Sequence, residues 1–101
     1  MTTEEKDLYA ARLVSNNLAK LRLLTKELLP EELAEIINEN KDIDAKKIFQ
    51  VLDPEKAIHT FENLEFDIQN VLLSSFTFEQ LSSTLNKISP DDRTALFEHL
   101  P

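Results

Sequence analysis

The chain has 101 residues, of which 42% are apolar, and a formal net charge of −8. It contains no cysteine and no glycine, which excludes disulfides and thiolate chemistry and argues against β-sandwiches and the glycine-rich loops of P-loop and Rossmann enzymes. We therefore expect one small all-α domain with a modest core.

The charge is unevenly spread along the chain. Residues 1–29 hold five basic and four acidic side chains, so the remainder carries a net charge of −9. An acidic surface repels phosphate backbones, and we expect no nucleic-acid binding. The sequence has neither the roughly 20-residue apolar run of a bilayer span nor a secretory signal, so we do not expect this segment to enter the membrane.

Two helices longer than the later ones are predicted at the N-terminus, over about 3–15 and 17–28. The polar stretch Ser15-Asn16-Asn17 separates them. Because this region does not follow the periodicity described next, we interpret residues 1–29 as capping helices and 30–101 as an array within the same single domain.

A pattern of roughly 12 residues repeats from residue 30 onward. Its starting positions are Pro30, Asp42, Pro54, Phe66, Phe78 and Pro90. Seven residues after each start stands a large apolar side chain: Ile37, Phe49, Phe61, Leu73, Leu85 and Phe97. Offsets 3, 6 and 10 are also mostly apolar, and together these offsets define one face of an α-helix.

The residue before several of these starts is suited to cap a helix. Asp53, Thr77 and Ser89 have side-chain oxygens that accept from free backbone amides, and Thr77 with Gln80, and Ser89 with Asp92, resemble capping boxes. Each repeat is thus a helix of roughly nine residues followed by a short turn. Helices this short are stable only when neighbours bury their apolar face, so we predict a superhelical array of short helices.

The array ends abruptly, because Leu100-Pro101 completes one repeat where another is expected to begin. Natural arrays usually end in a polar capping unit. We therefore expect this chain to be part of a longer protein.

Three stretches carry a resemblance to a known family. They are LLPEELAEIINEN (28–40), VLDPEKAIHTFENL (51–64) and LNKISPDDRTALFEHLP (85–101). They resemble the cytosolic N-terminal domain of the MgtE magnesium transporters, which repeats L-x-P-E/D-x-A-x-x-L-x-x-L. The resemblance covers about 25–101 well and 1–24 loosely.

The resemblance implies a regulatory role at the cytoplasmic face of a bacterial cell membrane. The domain would precede a pair of CBS domains and a transmembrane channel, and the transporter would form a homodimer through those other domains. Acidic faces of the N and CBS domains would meet across Mg²⁺, so that high Mg²⁺ closes the pore and low Mg²⁺ lets the like charges separate. Mg²⁺ suits such an interface, since it keeps several waters and often takes only one or two carboxylates.

The family's acidic interface positions are partly changed in this sequence. One falls on Asp91, which is retained, and the others fall on His59 and Ala95. The resemblance therefore implies either that Mg²⁺ contacts Asp91 with other acids, such as Asp92 or Glu98, or that this member senses Mg²⁺ through bulk charge. We predict Asp91 and Asp92 as metal-contacting residues.

The same residues have a simpler structural interpretation. Asp91 and Asp92 lie in the first turn of a predicted helix, where carboxylates interact favourably with the helix dipole, and the same holds for Glu31, Glu55 and other early acids. His59 and His99 lie off the apolar face and are expected to be solvated. A catalytic base would need a nearby nucleophile and an orienting group, and we expect no enzyme.

A second function remains open at this point. The superhelical pattern is also similar to the middle domain of a flagellar motor switch protein, which would make the chain a helical-repeat scaffold for protein partners. A scaffold would respond to Mg²⁺ only through ionic strength.

Overall fold

A computed structural model describes the backbone of residues 1–99 and most of their side chains. Eight side chains lie outside this description: Phe78, Gln80, Leu81, Thr84, Ala95, Leu96, Phe97 and His99. Residues 1–99 form eight helices and no strand, which confirms the all-α fold class. The helices are α1 (Thr3–Leu13), α2 (Leu18–Lys26), α3 (Pro30–Glu39), α4 (Ala45–Val51), α5 (Pro54–Glu62), α6 (Phe66–Ser75), α7 (Phe78–Lys87) and α8 (Pro90–His99).

Five of the six predicted repeat starts coincide with the first residue of a helix. These are Pro30, Pro54, Phe66, Phe78 and Pro90. Proline is well suited to this position, because the amide it lacks has no partner within the helix. The residue before Pro54 caps its helix as predicted, since Asp53 accepts a hydrogen bond from the Lys56 amide at 3.0 Å.

The sixth start was wrong, because α4 begins at Ala45 and not at Asp42. The carboxylate of Asp44 accepts from the amides of Lys46 and Lys47 at 3.0 and 3.4 Å, so Asp44 is the N-cap. The preceding residues form a turn, in which the Ile43 amide donates to the Asn40 carbonyl. Ile43, which lies in this turn, is buried. This repeat therefore still contributes an apolar side chain to the core, although its helix is shorter.

The two N-terminal helices are also shorter than predicted. α1 ends at Leu13 instead of residue 15, and α2 covers Leu18–Lys26 instead of 17–28. Asn17 is the reason for the later start of α2, since its side chain accepts from the Lys20 amide and acts as the N-cap. With 9 residues, α2 falls within the range of 7 to 10 residues of the array helices, whereas α1 has 11.

Four of the eight described helices pack against the second helix after them. The pairs are α1 with α3, α2 with α4, α3 with α5, and α4 with α6, while α5 also packs against α8. This alternation is compatible with a superhelical array. The fold extends 36 × 23 × 22 Å.

The most deeply buried position of the repeat is offset 6. Ile36, Ile48, Thr60 and Leu72 occupy it in four successive units, and each is fully inaccessible to solvent. Thr60 is tolerated there because its hydroxyl donates to the Lys56 carbonyl at 2.7 Å. A buried hydroxyl with such a partner avoids most of the cost of desolvation.

None of the helices, as far as residues 1–99 are described, combines the length and the apolar character that a membrane span requires.

Candidate functional site

A group of three polar side chains lies where α5 packs against α8. Glu55 and His59 are four residues apart on α5 and therefore share one face of that helix. Asp92 lies in the first turn of α8. Each residue offers a ligand atom, and these atoms all lie within 4.8 Å of one another.

Hydrogen bonds at the start of α8 hold this group in place. The Ser89 side chain accepts from the Asp92 amide at 3.2 Å, which is one of the two hydrogen bonds of the predicted capping box. The amide of Ser89 itself donates to Glu55 Oε1 on α5 at 3.2 Å. The cap of α8 is thus completed by a residue of another helix, which ties the two helices together. The capping pair predicted at Thr77 depends on the side chain of Gln80, which lies outside the described residues.

The group is open to solvent on one side. The side chain of Asp92 is only 14% exposed, whereas that of His59 is 49% exposed and Glu55 is also exposed. His59 was expected to be solvated, yet its Nε2 lies 3.6 Å from Asp92 Oδ1. It is therefore a half-exposed residue with a defined partner.

The two carboxyl groups influence each other's protonation. The hydrogen bond with Asp92 raises the pKa of Glu55, and partial loss of hydration raises it further. The same hydrogen bond lowers the pKa of Asp92, helped by Ser89 and by the charge of His59. A proton shared between the two is thus kept on Glu55. Ionising both carboxyls places like charges side by side, and a bound cation relieves that repulsion.

Only one of the two predicted metal-contacting residues belongs to this group. Asp92 is one of its three members. Asp91 is exposed. Among the described side chains, neither Asp91 nor Glu98 belongs to the group. Asp91 keeps its place in the first turn of α8, where a carboxylate favours the helix dipole.

The group offers two carboxylates and one imidazole as ligands for a metal ion. Mg²⁺ prefers oxygen ligands and retains several waters, so the carboxylates of Glu55 and Asp92 fit the hydrated ion. The imidazole of His59 does not suit it, because nitrogen ligands favour transition metals. The pair of acids therefore fits Mg²⁺, and the complete group of three does not.

Two members of the group were not predicted as ligands. Glu55 had been interpreted as a helix-dipole residue and His59 as a solvated one. The sequence signal that could have identified them is their spacing of four residues, which places both on one face of a helix whose opposite face is apolar. The contact of α5 with α8 brings Asp92 to that face, and this contact is not contained in the spacing.

A comparison with protein families identifies the family to which the chain belongs. Residues 28–101 match the family described as the MgtE intracellular N domain. The chain belongs to this family. The match begins close to the lower limit of the sequence resemblance and includes all three residues of the α5–α8 group. It makes the chain an N-terminal domain of the magnesium transporter family, which is not a family of enzymes. No curated protein and no solved structure matches the chain.

Proposed function

We propose that this chain is the Mg²⁺-responsive regulatory domain of a bacterial magnesium transporter or channel, located at the cytoplasmic face of the cell membrane and without catalytic activity. The family match over residues 28–101 is the observation that carries this proposal. The net charge of −9 on residues 30–101 supports it, because such a surface needs cations before it can approach another acidic surface.

The proposed partner is a pair of CBS domains in a full-length protein that contains this chain, and that protein would dimerise through its other domains. Mg²⁺ between the two acidic faces would screen their repulsion and favour the closed arrangement. When Mg²⁺ falls, the uncompensated carboxylates would drive the domains apart and the pore would open.

Asp91 and Asp92 are the residues that we propose for contact with Mg²⁺. The exposure of Asp91 makes it accessible to a partner domain. Asp92 lies close to Glu55 of α5, so a second carboxylate is available near the start of α8. One or two carboxylates with retained waters are sufficient for weak Mg²⁺ binding.

The test uses the full-length transporter that contains this chain, with Asp91→Asn as the variant. Partial proteolysis at increasing Mg²⁺ reports how much of the protein is closed. We expect the variant to require a higher Mg²⁺ concentration for protection, because one interfacial carboxylate is lost.

Glu31→Gln is the matched control. Glu31 is also an exposed acid in the first turn of a helix that begins with proline, so both changes remove one charge from equivalent positions. A Mg²⁺ midpoint that is the same for Asp91→Asn and the wild-type protein contradicts a role for Asp91.

The isolated chain should bind Mg²⁺ only weakly, since the other carboxylates belong to a different domain. Calorimetric titration of the chain with MgCl₂ measures this directly. Micromolar and Mg²⁺-selective binding to the chain alone would show that the site does not depend on a partner domain.

A further inference from the structure

The α5–α8 group differs from an ordinary cluster of surface acids because it contains an imidazole. A histidine nitrogen is a good ligand for Zn²⁺, Co²⁺ and Ni²⁺ and a poor one for Mg²⁺. The group therefore has a metal preference different from that of the magnesium-dependent function proposed above.

We propose that Glu55, His59 and Asp92 bind one divalent transition-metal cation of the Zn²⁺, Co²⁺ or Ni²⁺ class, entirely within this domain. The site would cross-link α5 to α8 and would need no residue of a partner domain. Water would complete the coordination.

The geometry is close to that of such a site before metal binding. In a tetrahedral zinc site with bonds of about 2.0–2.1 Å, neighbouring ligand atoms are about 3.3 Å apart. His59 Nε2 and Asp92 Oδ1 are already 3.6 Å apart, and no pair of ligand atoms in the group exceeds 4.8 Å. Glu55 and His59 are exposed, so their side chains can rotate to shorten the remaining distance.

Asp92 gives the site a fixed component. Its side chain is largely covered, and its backbone is held by the bond from its amide to Ser89. The Ser89 amide in turn donates to Glu55 Oε1, so hydrogen bonds through Ser89 connect the backbone of Asp92 to the carboxylate of Glu55. A partly organised site loses less entropy when the metal binds.

The neighbouring basic side chains do not neutralise the group. Lys56 follows Glu55 in sequence, but its ammonium donates to the Thr25 carbonyl on α2. Arg93 follows Asp92, and its guanidinium donates to the Ile88 carbonyl at 3.4 Å. Among the described side chains, the ion pair that involves this group joins His59 to Asp92. The charge of the two carboxylates is thus balanced by one weak base, and a bound cation can supply the remaining positive charge.

The first experiment titrates the chain with ZnCl₂ in a calorimeter and with CoCl₂ in a spectrophotometer. We expect one-to-one binding of Zn²⁺, and a Co²⁺ visible spectrum that indicates four-coordination by nitrogen and oxygen without sulfur. His59→Gln should weaken Zn²⁺ binding by about tenfold or more, because it removes the nitrogen ligand.

His99→Gln is the matched control, since it removes the other of the two histidines in the chain. It should leave the Zn²⁺ affinity within about twofold of wild type, whereas Glu55→Gln and Asp92→Asn should each weaken it. Circular dichroism of every variant verifies that its helices are retained. The His59 change is not expected to unfold the chain, because that side chain is half exposed.

The inference is overturned if Zn²⁺ binding is not saturable at one equivalent, or if His59→Gln binds Zn²⁺ as tightly as wild type. It is equally overturned if His99→Gln abolishes binding. These results leave the magnesium-dependent function standing, because that function is tested separately by the Mg²⁺ midpoint of the full-length protein. Conversely, Zn²⁺ binding that depends on His59 supports the site even if the Asp91 variant responds normally to Mg²⁺.

Discussion

The two sides of α5 differ in how they are held. The side towards α3 is an apolar interface, whereas the side towards α8 carries Glu55 and His59 next to Asp92. Ile58 and Phe61 on α5 and Ile36 on α3 belong to one continuous buried core. Burial of each such side chain contributes about 1.5–3 kcal/mol, and no ion influences it.

Polar contacts strengthen the α3 side without making it ion-dependent. Asn38 on α3 donates to the Asn63 carbonyl at 3.1 Å and accepts from the Glu65 amide at 2.9 Å. Gln69 on α6 is buried and donates to the Phe61 carbonyl at 2.8 Å. Neutral hydrogen bonds of this kind fix the position of α5 and depend little on salt or metal.

The α8 side depends instead on charge. Its carboxyl groups repel each other when both are ionised, and protons or cations change that balance. A single helix can therefore be firmly attached to the core by one face and remain responsive to ions on the other. The following variants test this contrast, beginning with the largest expected effect.

Phe61→Ala tests the apolar side of α5. Phe61 is 4% exposed, and removing a buried phenylalanine side chain typically costs about 3–5 kcal/mol. We expect chemical denaturation to show a loss of this size. Phe66→Ala is the matched control, because Phe66 is 73% exposed and its truncation should change stability by less than about 0.5 kcal/mol. Equal losses for the two variants would contradict the assignment of the core face.

Asn38→Ala tests the polar contacts of the same interface. It removes two hydrogen bonds to the connection between α5 and α6, each with a net contribution of about 0.5–1.5 kcal/mol. The unfolding free energy should fall by about 1–3 kcal/mol, equally with and without Mg²⁺. Asn70→Ala on the exposed face of α6 provides the comparison and should be nearly neutral. An Asn38 effect that disappears on adding Mg²⁺ would show that this side is ion-dependent as well.

Glu55→Gln tests the charged side. The pKa of Glu55 is raised by its hydrogen bond with Asp92, so the ionised form is less favourable in the folded chain than in the unfolded one. Ionisation of Glu55 therefore destabilises the folded chain. This destabilisation begins near the ordinary carboxyl pKa, grows as the pH rises through the raised pKa of the folded state, and is complete above it. We therefore expect the metal-free variant to melt at a higher temperature than wild type at neutral pH. The difference should shrink as the pH falls below the ordinary carboxyl pKa, where Glu55 is protonated in both the folded and the unfolded chain.

The control for this variant is Glu31→Gln, since Glu31 and Glu55 both follow a proline at the first position of a helix. Both changes lose the same favourable interaction with the helix dipole. If Glu55→Gln melts below Glu31→Gln at neutral pH, the carboxyl groups at the α5–α8 contact do not destabilise the metal-free chain.

Glu35→Gln should give the smallest effect. Glu35 forms an exposed ion pair with Lys6 that joins α3 to α1, and its hydrogen bond raises the pKa of Lys6. Exposed ion pairs contribute about 0–1 kcal/mol. A double-mutant cycle with Lys6→Met, measured at low and high NaCl, should give a coupling in this range that decreases with salt. A larger coupling that resists salt would mean that the pair acts as if it were buried.

The sequence predicted the all-α fold and five of the six repeat helix starts, because proline, capping residues and apolar spacing act locally. It did not predict the start of α4, because the 12-residue spacing placed the helix start at Asp42, whereas Asp44 caps the helix and Ala45 begins it. The separation into residues 1–29 and 30–101 stays a prediction.

The candidate site was only partly predictable, for a related reason. Periodicity defines which face of a helix is buried but not which helix covers the opposite face. Asp92 was selected from its position in α8, whereas Glu55 and His59 become significant only through the contact of α5 with α8. Whether Asp91 contacts an ion depends on a partner domain and stays a prediction.

The central claim is that α5 is ion-responsive on its α8 side and not on its α3 side. The most direct test is a titration of the ¹⁵N-labelled chain with MgCl₂, followed by amide chemical shifts and matched for ionic strength with NaCl. We predict shifts that saturate at millimolar Mg²⁺ and are largest at Glu55, His59, Asp91 and Asp92, while the amides of Ile36 and Phe61 change little. Shifts that NaCl reproduces, or that are equally large in the α3–α5 core, would contradict the claim.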